Sequence, residues 1–341
     1  ALDRLGVKRV SLGLLAVAGA GAVLGAFATD AWTMLAAQIV LGAGCSGMLM
    51  CPITYAARAL SAQKFALWAG LIQALGNTGM LLSASPLALL VEAAGWRAGY
   101  LACAAIAALA IPAVILLVRP QPPEAAPSKG LIADTKEVLA MLLAPRLRGV
   151  VALVFCSFAA VLGLRGLWGG PWLMEVKGLD RIAAGNVLLA CTVALTAGPA
   201  IGGIVLRRLG HGTALLAGSH FLCAAIFLLL VAGGPGGAVS SLFGLAMMPV
   251  AWDTALLIAF GVLISFQIIA FSMVRNAVPP EQTGRALSAA NLSFFLGAAI
   301  LQALSGAVAG WGGIGAALLT FAVALVICPA AFLALRPRRT R

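Results

Sequence analysis

The feature that most narrows what this chain can fold into is a series of unbroken apolar runs, each long enough to cross a bilayer as a helix. A helix of about 20 residues spans the roughly 30 Å hydrocarbon core. The runs lie at 10–28, 32–56, 65–91, 98–118, 149–170, 182–206, 213–232, 252–274, 286–309 and 314–335, bounded by charge, proline or glycine clusters. Strands of a membrane barrel would be about half as long and would alternate polar with apolar residues, so a barrel is excluded. A water-soluble fold is excluded by composition, since 62% of residues are hydrophobic and 9% charged, against about 25% charged in a soluble domain. The pattern predicts an all-α polytopic membrane protein with ten visible spans.

The formal net charge of +12 would suggest nucleic acid in a soluble protein. Here its distribution along the chain carries the information. Every second connection collects the basic residues: Arg4, Lys8 and Arg9, then Arg58 and Lys64, then Arg119 to Arg148, Arg207 and Arg208, Arg275 and Arg285, and finally Arg336 to Arg341. The alternate connections hold only Arg97, Lys177 and Arg181. By the positive-inside rule both visible ends are expected in the cytoplasm, with the protein in the plasma (inner) membrane and no nucleic-acid partner. Seven cysteines lie within spans in no ligand spacing, and two histidines, His211 and His220, cannot build a metal site alone. No metal and no cofactor is expected.

An internal repeat organises the chain. Leu2-Asp3-Arg4-Leu5-Gly6 returns as Leu206-Arg207-Arg208-Leu209-Gly210, and Arg58-Ala59-Leu60-Ser61-Ala62 with Gly70 returns as Arg285-Ala286-Leu287-Ser288-Ala289 with Gly297. Gly95-Trp96 is answered by Gly310-Trp311. Three landmarks in the same order predict two homologous halves in parallel orientation. The halves are read as 1–118 and 149–341, joined by a cytoplasmic linker, 119–148, that opens Pro-rich at Arg119-Pro120-Gln121-Pro122-Pro123. Two spans precede the second Leu-x-Arg-Leu-Gly, whereas the first copy opens the chain. The expectation is a parent of about 400 residues and twelve helices, with a ten-helix protein as the alternative.

These residues resemble the major facilitator superfamily of secondary transporters along the whole chain. Asp3-Arg4-Leu5-Gly6-Val7-Lys8-Arg9 is similar to the end of the family signature between its second and third helices. Gly95-Trp96-Arg97 matches a turn between its fifth and sixth, and Pro279-Pro280-Glu281-Gln282-Thr283-Gly284-Arg285-Ala286 resembles the approach to its eleventh. The resemblance implies two six-helix bundles around a central cavity, alternating access, and visible helices three to twelve. It also implies a cytoplasmic gate formed by Asp3, Arg4, Gly6, Arg9, Arg208 and Gly210, with Asp3 close to the helix start at 282–286. The family's fourth helix begins with Arg where this chain has Gln38, so the proton-coupling role attached to that Arg does not transfer. The antiporter motif of the fifth helix is reduced to Gly76, Gly79 and Ser85-Pro86. Gly198-Pro199-Ala200-Ile201-Gly202-Gly203 spells a similar run, but on the eighth helix.

A charge inside the bilayer is costly and points to function. Arg165 is the one basic residue placed within a span; it either holds an anionic group through its guanidinium fork or snorkels to the headgroups. Trp168 and Trp172 nearby belong to an interfacial belt or to a cavity wall. Gln73 and Asn77 share a helix face, Asn291 and Gln302 lie three turns apart on the matching helix of the second half, and Gln267, Gln38 and Thr196 complete a polar set. These side chains either bind a polar solute or hydrogen-bond across packed helices. His220 is read as a packed, neutral residue. No span carries a central carboxylate, and Asp253 sits at an outer end. No catalytic set or phosphate loop is visible, so the chain is not read as an enzyme. The expected function is secondary active or facilitative transport of a small polar or anionic organic solute by a monomer. The alternatives are a proton-coupled drug or metabolite efflux antiporter and a receptor or scaffold with the same fold.

Overall fold

In hydrocarbon every backbone N–H and C=O must be satisfied within the protein, and the apolar runs meet that demand as helices. The computed structural model describes residues 6–48, 50–59, 72, 75, 76, 79, 85–120, 131–279 and 282–336, and all regular structure among them is helical. Among the described residues, seven helices are long and apolar enough to cross a membrane. The chain divides into two units, residues 1–127 and 128–341.

The first unit contains α1 (Val7–Ala26), α2 (Ala31–Cys45), α3 (Met50–Ala59), α4 (Ser85–Ala94) and α5 (Trp96–Leu117). Asp30 starts α2 with a reciprocal cap: its Oδ1 accepts from the N–H groups of Trp32 and Thr33 at 2.8 and 2.9 Å, and Thr33 Oγ1 accepts from Asp30 N–H at 3.2 Å. The run at 32–56 forms two helices rather than one. Its break falls at Cys45-Ser46-Gly47, where Ser46 Oγ donates back to Ala43 O and the helix propensity is low. α1 packs on α2 and α5 at backbone distance. A β-carbon at Gly21 would overlap the backbone of Leu41, one at Gly44 that of Ala18, and one at Gly25 the ring of Tyr100. Most of the run at 65–91 lies outside the described residues.

The second unit contains α6 (Leu131–Leu142), α7 (Arg148–Val176), α8 (Arg181–Leu209), α9 (Gly212–Ala232), the short α10 (Ala238–Leu242), α11 (Val250–Asn276) and α12 (Thr283–Ala334). Two expected spans, 286–309 and 314–335, are the arms of α12, separated at Gly313, whose φ of 68° and ψ of −169° no helix contains. Part of the stretch read as a linker is helical: α6 lies against α12, and Glu137 pairs with Arg285 Nη1 at 2.6 Å. α7 packs along α12, and α8 along α11, through glycines. A β-carbon at Gly297 would sit on Phe155 O, and one at Gly261 would crowd Cys191 O. At the centre Phe227 stacks on Phe321 at 5.9 Å and meets Phe260 edge-on at 5.6 Å, all three fully buried.

Candidate functional site

α7 departs from α geometry in mid-course. Leu162–Trp168 is π-helical, three α residues follow, and Trp172–Val176 is π-helical again. Glycines make this possible, since the ring of Phe321 occupies the space a β-carbon of Gly163 would need, and Leu164 O that of Gly169. π-segments inside helices are uncommon and concentrate at functional sites. This one carries Arg165 into a half-buried position, where Nε donates to Thr192 Oγ1 of α8 at 2.7 Å. Thr192 is itself fully buried and donates to Leu188 O at 2.8 Å. The plane of the guanidinium is thereby held by a side chain that is in turn fixed to its own helix.

Polar groups continue from there along α8 to α11. Thr196 Oγ1 donates to Thr192 O at 2.9 Å, and Ser265 Oγ of α11 lies 2.6 Å from Gly261 O and 3.1 Å from Leu195 O. Ser265–Gln267 is a 3₁₀ turn that interrupts α11 midway through its length. On this turn Gln267 Oε1 is buried without a hydrogen-bond partner. Such an acceptor costs about 1–3 kcal/mol.

A second arm of the seam joins α7 to α12. Trp168 Nε1 donates to Ser305 Oγ at 2.9 Å, and Ser305 donates to Gln302 O at 2.8 Å. Trp172 is 4% exposed and lies in the core rather than at its edge. Its Nε1 donates to Asp253 Oδ1 at 2.8 Å. Asp253 Oδ2 also pairs with Lys177 Nζ at 3.0 Å, with the two side chains 0% and 1% exposed. Lys177 completes its three donors on Gly233 O at 3.1 Å and Met248 O at 2.9 Å. Sequence placed Asp253 at the outer end of a span and Lys177 in an outer connection, but nothing local indicated that they meet.

The remaining candidates are dispersed. Gln38 is exposed in the first unit and donates to Tyr100 OH. Gln73, Asn77, Asp3 and Arg4 lie outside the described residues. Asn291 is exposed on α12, Gly6 precedes α1 with φ 76°, Arg9 and Arg208 are exposed, and Gly210 closes α8 in the left-handed region at φ 67°. His220 is fully buried, with Nδ1 2.7 Å from Leu216 O and Nε2 2.7 Å from Ser157 Oγ, an arrangement that suits a neutral ring donating at Nδ1. Thr192, Ser265 and Ser305 were not singled out by sequence. Their signal is faint, because hydroxyl residues within spans commonly bond their own helix.

Comparison with solved structures finds the same fold in transporters. A POT family transporter in complex with 5-aminolevulinic acid aligns over 100% of this chain and 84% of that chain, with 12% identity and a TM-score of 0.78. The fucose:proton symporter of E. coli aligns over 98% and 85%, with 17% identity and a TM-score of 0.56. A second structure of that symporter, FucP, described as a Major Facilitator Superfamily transporter in the outward conformation, aligns over 98% and 84%, with 15% identity and a TM-score of 0.59. Comparison with curated proteins gave no match. A family model for the Major Facilitator Superfamily matches residues 1–267. With that match over most of its length, on a fold shared with membrane transporters, the chain belongs to the Major Facilitator Superfamily.

Proposed function

We propose that the protein moves a small organic solute bearing an anionic group across the plasma (inner) membrane by alternating access, with Arg165 as the residue that holds the anion. The observation that carries this reading is the π-helical segment of α7, which keeps Arg165 half-exposed within a span and fixes its Nε on Thr192. A guanidinium is the planar group that a carboxylate or phosphate matches in two parallel bonds. Gln267 and Gln302 supply neutral acceptors and donors for the rest of the solute, with Oε1 of Gln267 already desolvated and awaiting a donor. The fold accommodates such a cargo, since one of its solved examples binds 5-aminolevulinic acid.

The test is binding and uptake in proteoliposomes with a panel of small carboxylates and their uncharged amides. The wild type is expected to prefer the carboxylate of each pair. Loss of a hydrogen-bonded charge contact costs about 2 kcal/mol or more, so Arg165→Gln should weaken carboxylate binding at least roughly tenfold while the amides are unaffected. Equal affinity for both members of each pair, or carboxylate affinity unchanged in Arg165→Gln, would overturn the anion assignment.

A further inference from the structure

At the basic end of the second unit, a groove of about 640 Å³ opens between the start of α9 and the end of α12. Its walls are apolar: Ala217, Gly218 and Phe221 from α9 face Leu333 from α12. Its mouth is polar and positive. Arg336 lies there, with its guanidinium 6.0 Å above the ring of Phe332, beside His211 and Thr213. No side chain caps the start of α9, so the N–H groups of its first turn contribute partial positive charge to the same mouth. Arg207 and Arg208 close the preceding helix and stand outside the lining of the groove. An apolar slot that ends at the guanidinium of Arg336 and the N–H donors of a helix start has the two-part chemistry of an anionic phospholipid.

We infer that this groove binds an anionic phospholipid, with one acyl chain along Gly218 and Phe221 and the phosphate at Arg336 and the first turn of α9. The occupant follows from charge and shape together. A free phosphate makes no use of the apolar walls, and a zwitterionic lipid brings a cation to a mouth that already holds one. Each basic residue near an anionic lipid surface contributes a factor of about five in affinity. Each methylene buried in the slot contributes about fourfold. The site is independent of Arg165 and of the solute that the protein carries.

The experiment uses delipidated protein in detergent and reads lipid occupancy by native mass spectrometry. Phosphatidylglycerol is compared with phosphatidylcholine of the same chains and with glycerol phosphate. The wild type is expected to retain phosphatidylglycerol at least roughly fivefold better than phosphatidylcholine and to leave glycerol phosphate unbound. Arg336→Gln should abolish that preference, whereas Arg119→Gln, which removes the same charge from the first unit, should leave it intact. Gly218→Leu places a side chain in the slot, where a β-carbon meets nothing within 4 Å. It should lower phosphatidylglycerol occupancy about fourfold or more with every charge retained. Equal retention of the two lipids, glycerol phosphate binding as well as the lipid, or indifference to both Arg336→Gln and Gly218→Leu would overturn the assignment.

Discussion

Asp30 holds the first turn of α2 through bonds that need its charged form. The Thr33 N–H and hydroxyl, followed by the Trp32 N–H and the Thr29 hydroxyl, pull its carboxyl below the ordinary value of 3.8. A group whose pKa is lowered by folding stabilises the fold above its unfolded value, and that contribution fades as pH falls through the folded one. Protection of the Trp32 and Thr33 amides, taken relative to their intrinsic exchange rates, is therefore expected to be present at neutral pH and to fall below about pH 4. In Asp30→Asn the amides should lose this acid step. A wild-type exchange profile with no such step would show that the cap contributes nothing. The same logic of a local bond decides Arg165: its charge was legible in the sequence as the cation of a span, but its orientation depends on Thr192, 27 residues away.

Between elements, contact is set by missing side chains and by charges that meet out of water. α12 lies so close to α7 at Gly297 that an added β-carbon collides with the carbonyl of Phe155, a backbone atom that cannot step aside. Gly297→Ala is expected to lower stability by about 1–3 kcal/mol, as overpacking does. On the same helix Gly306→Ala meets nothing within 4 Å and should be neutral in thermal unfolding. The Lys177–Asp253 pair joins the turn after α7 to the start of α11, and Lys177 also holds the carbonyls of Gly233 and Met248. Removing one partner strands a buried charge, at a cost of about 3–5 kcal/mol, while replacing both by apolar groups is often near neutral. Lys177→Met and Asp253→Leu should each unfold at distinctly lower temperature than the wild type, and the double variant should recover most of the loss. Additive losses in the double variant would show that the pair is not coupled.

For the whole molecule, the alternation of basic connections predicts that α6 and α10 lie on opposite sides of the membrane. Lys136 is exposed on α6, and Leu242, in the strap between α9 and α11, is 80% exposed. In a background with the native cysteines replaced, Lys136→Cys should react with an impermeant thiol reagent only from the cytoplasmic side and Leu242→Cys only from the other. Reaction of both from one side would overturn the predicted topology of the second unit. Leu242 suits this test better than Lys177, whose replacement removes a buried partner of Asp253.

Hydropathy and charge alone determined the membrane class and the position of most spans, and short motifs the family resemblance, because each span satisfies its backbone within itself and each span end is marked by residues beside it in sequence. The limits of that locality show at particular places. Residues 32–56 read as one apolar run, yet Ser46 and Gly47 divide it into α2 and α3. Residues 131–142 lie in the stretch read as linker, and there they form α6, packed on α12 with Glu137 paired to Arg285. The polar seam of the second unit was half legible, with Arg165, Trp168, Gln267 and Gln302 visible as polar or aromatic residues in apolar runs. The bonds of Arg165 to Thr192 and of Trp168 to Ser305, the place of Ser265 between α11 and α8, the π-segment of α7 and the buried Lys177–Asp253 pair were decided only by tertiary structure. Which face of one helix meets which face of another depends on glycines that let backbones touch across the bundle, and no stretch of sequence records that meeting.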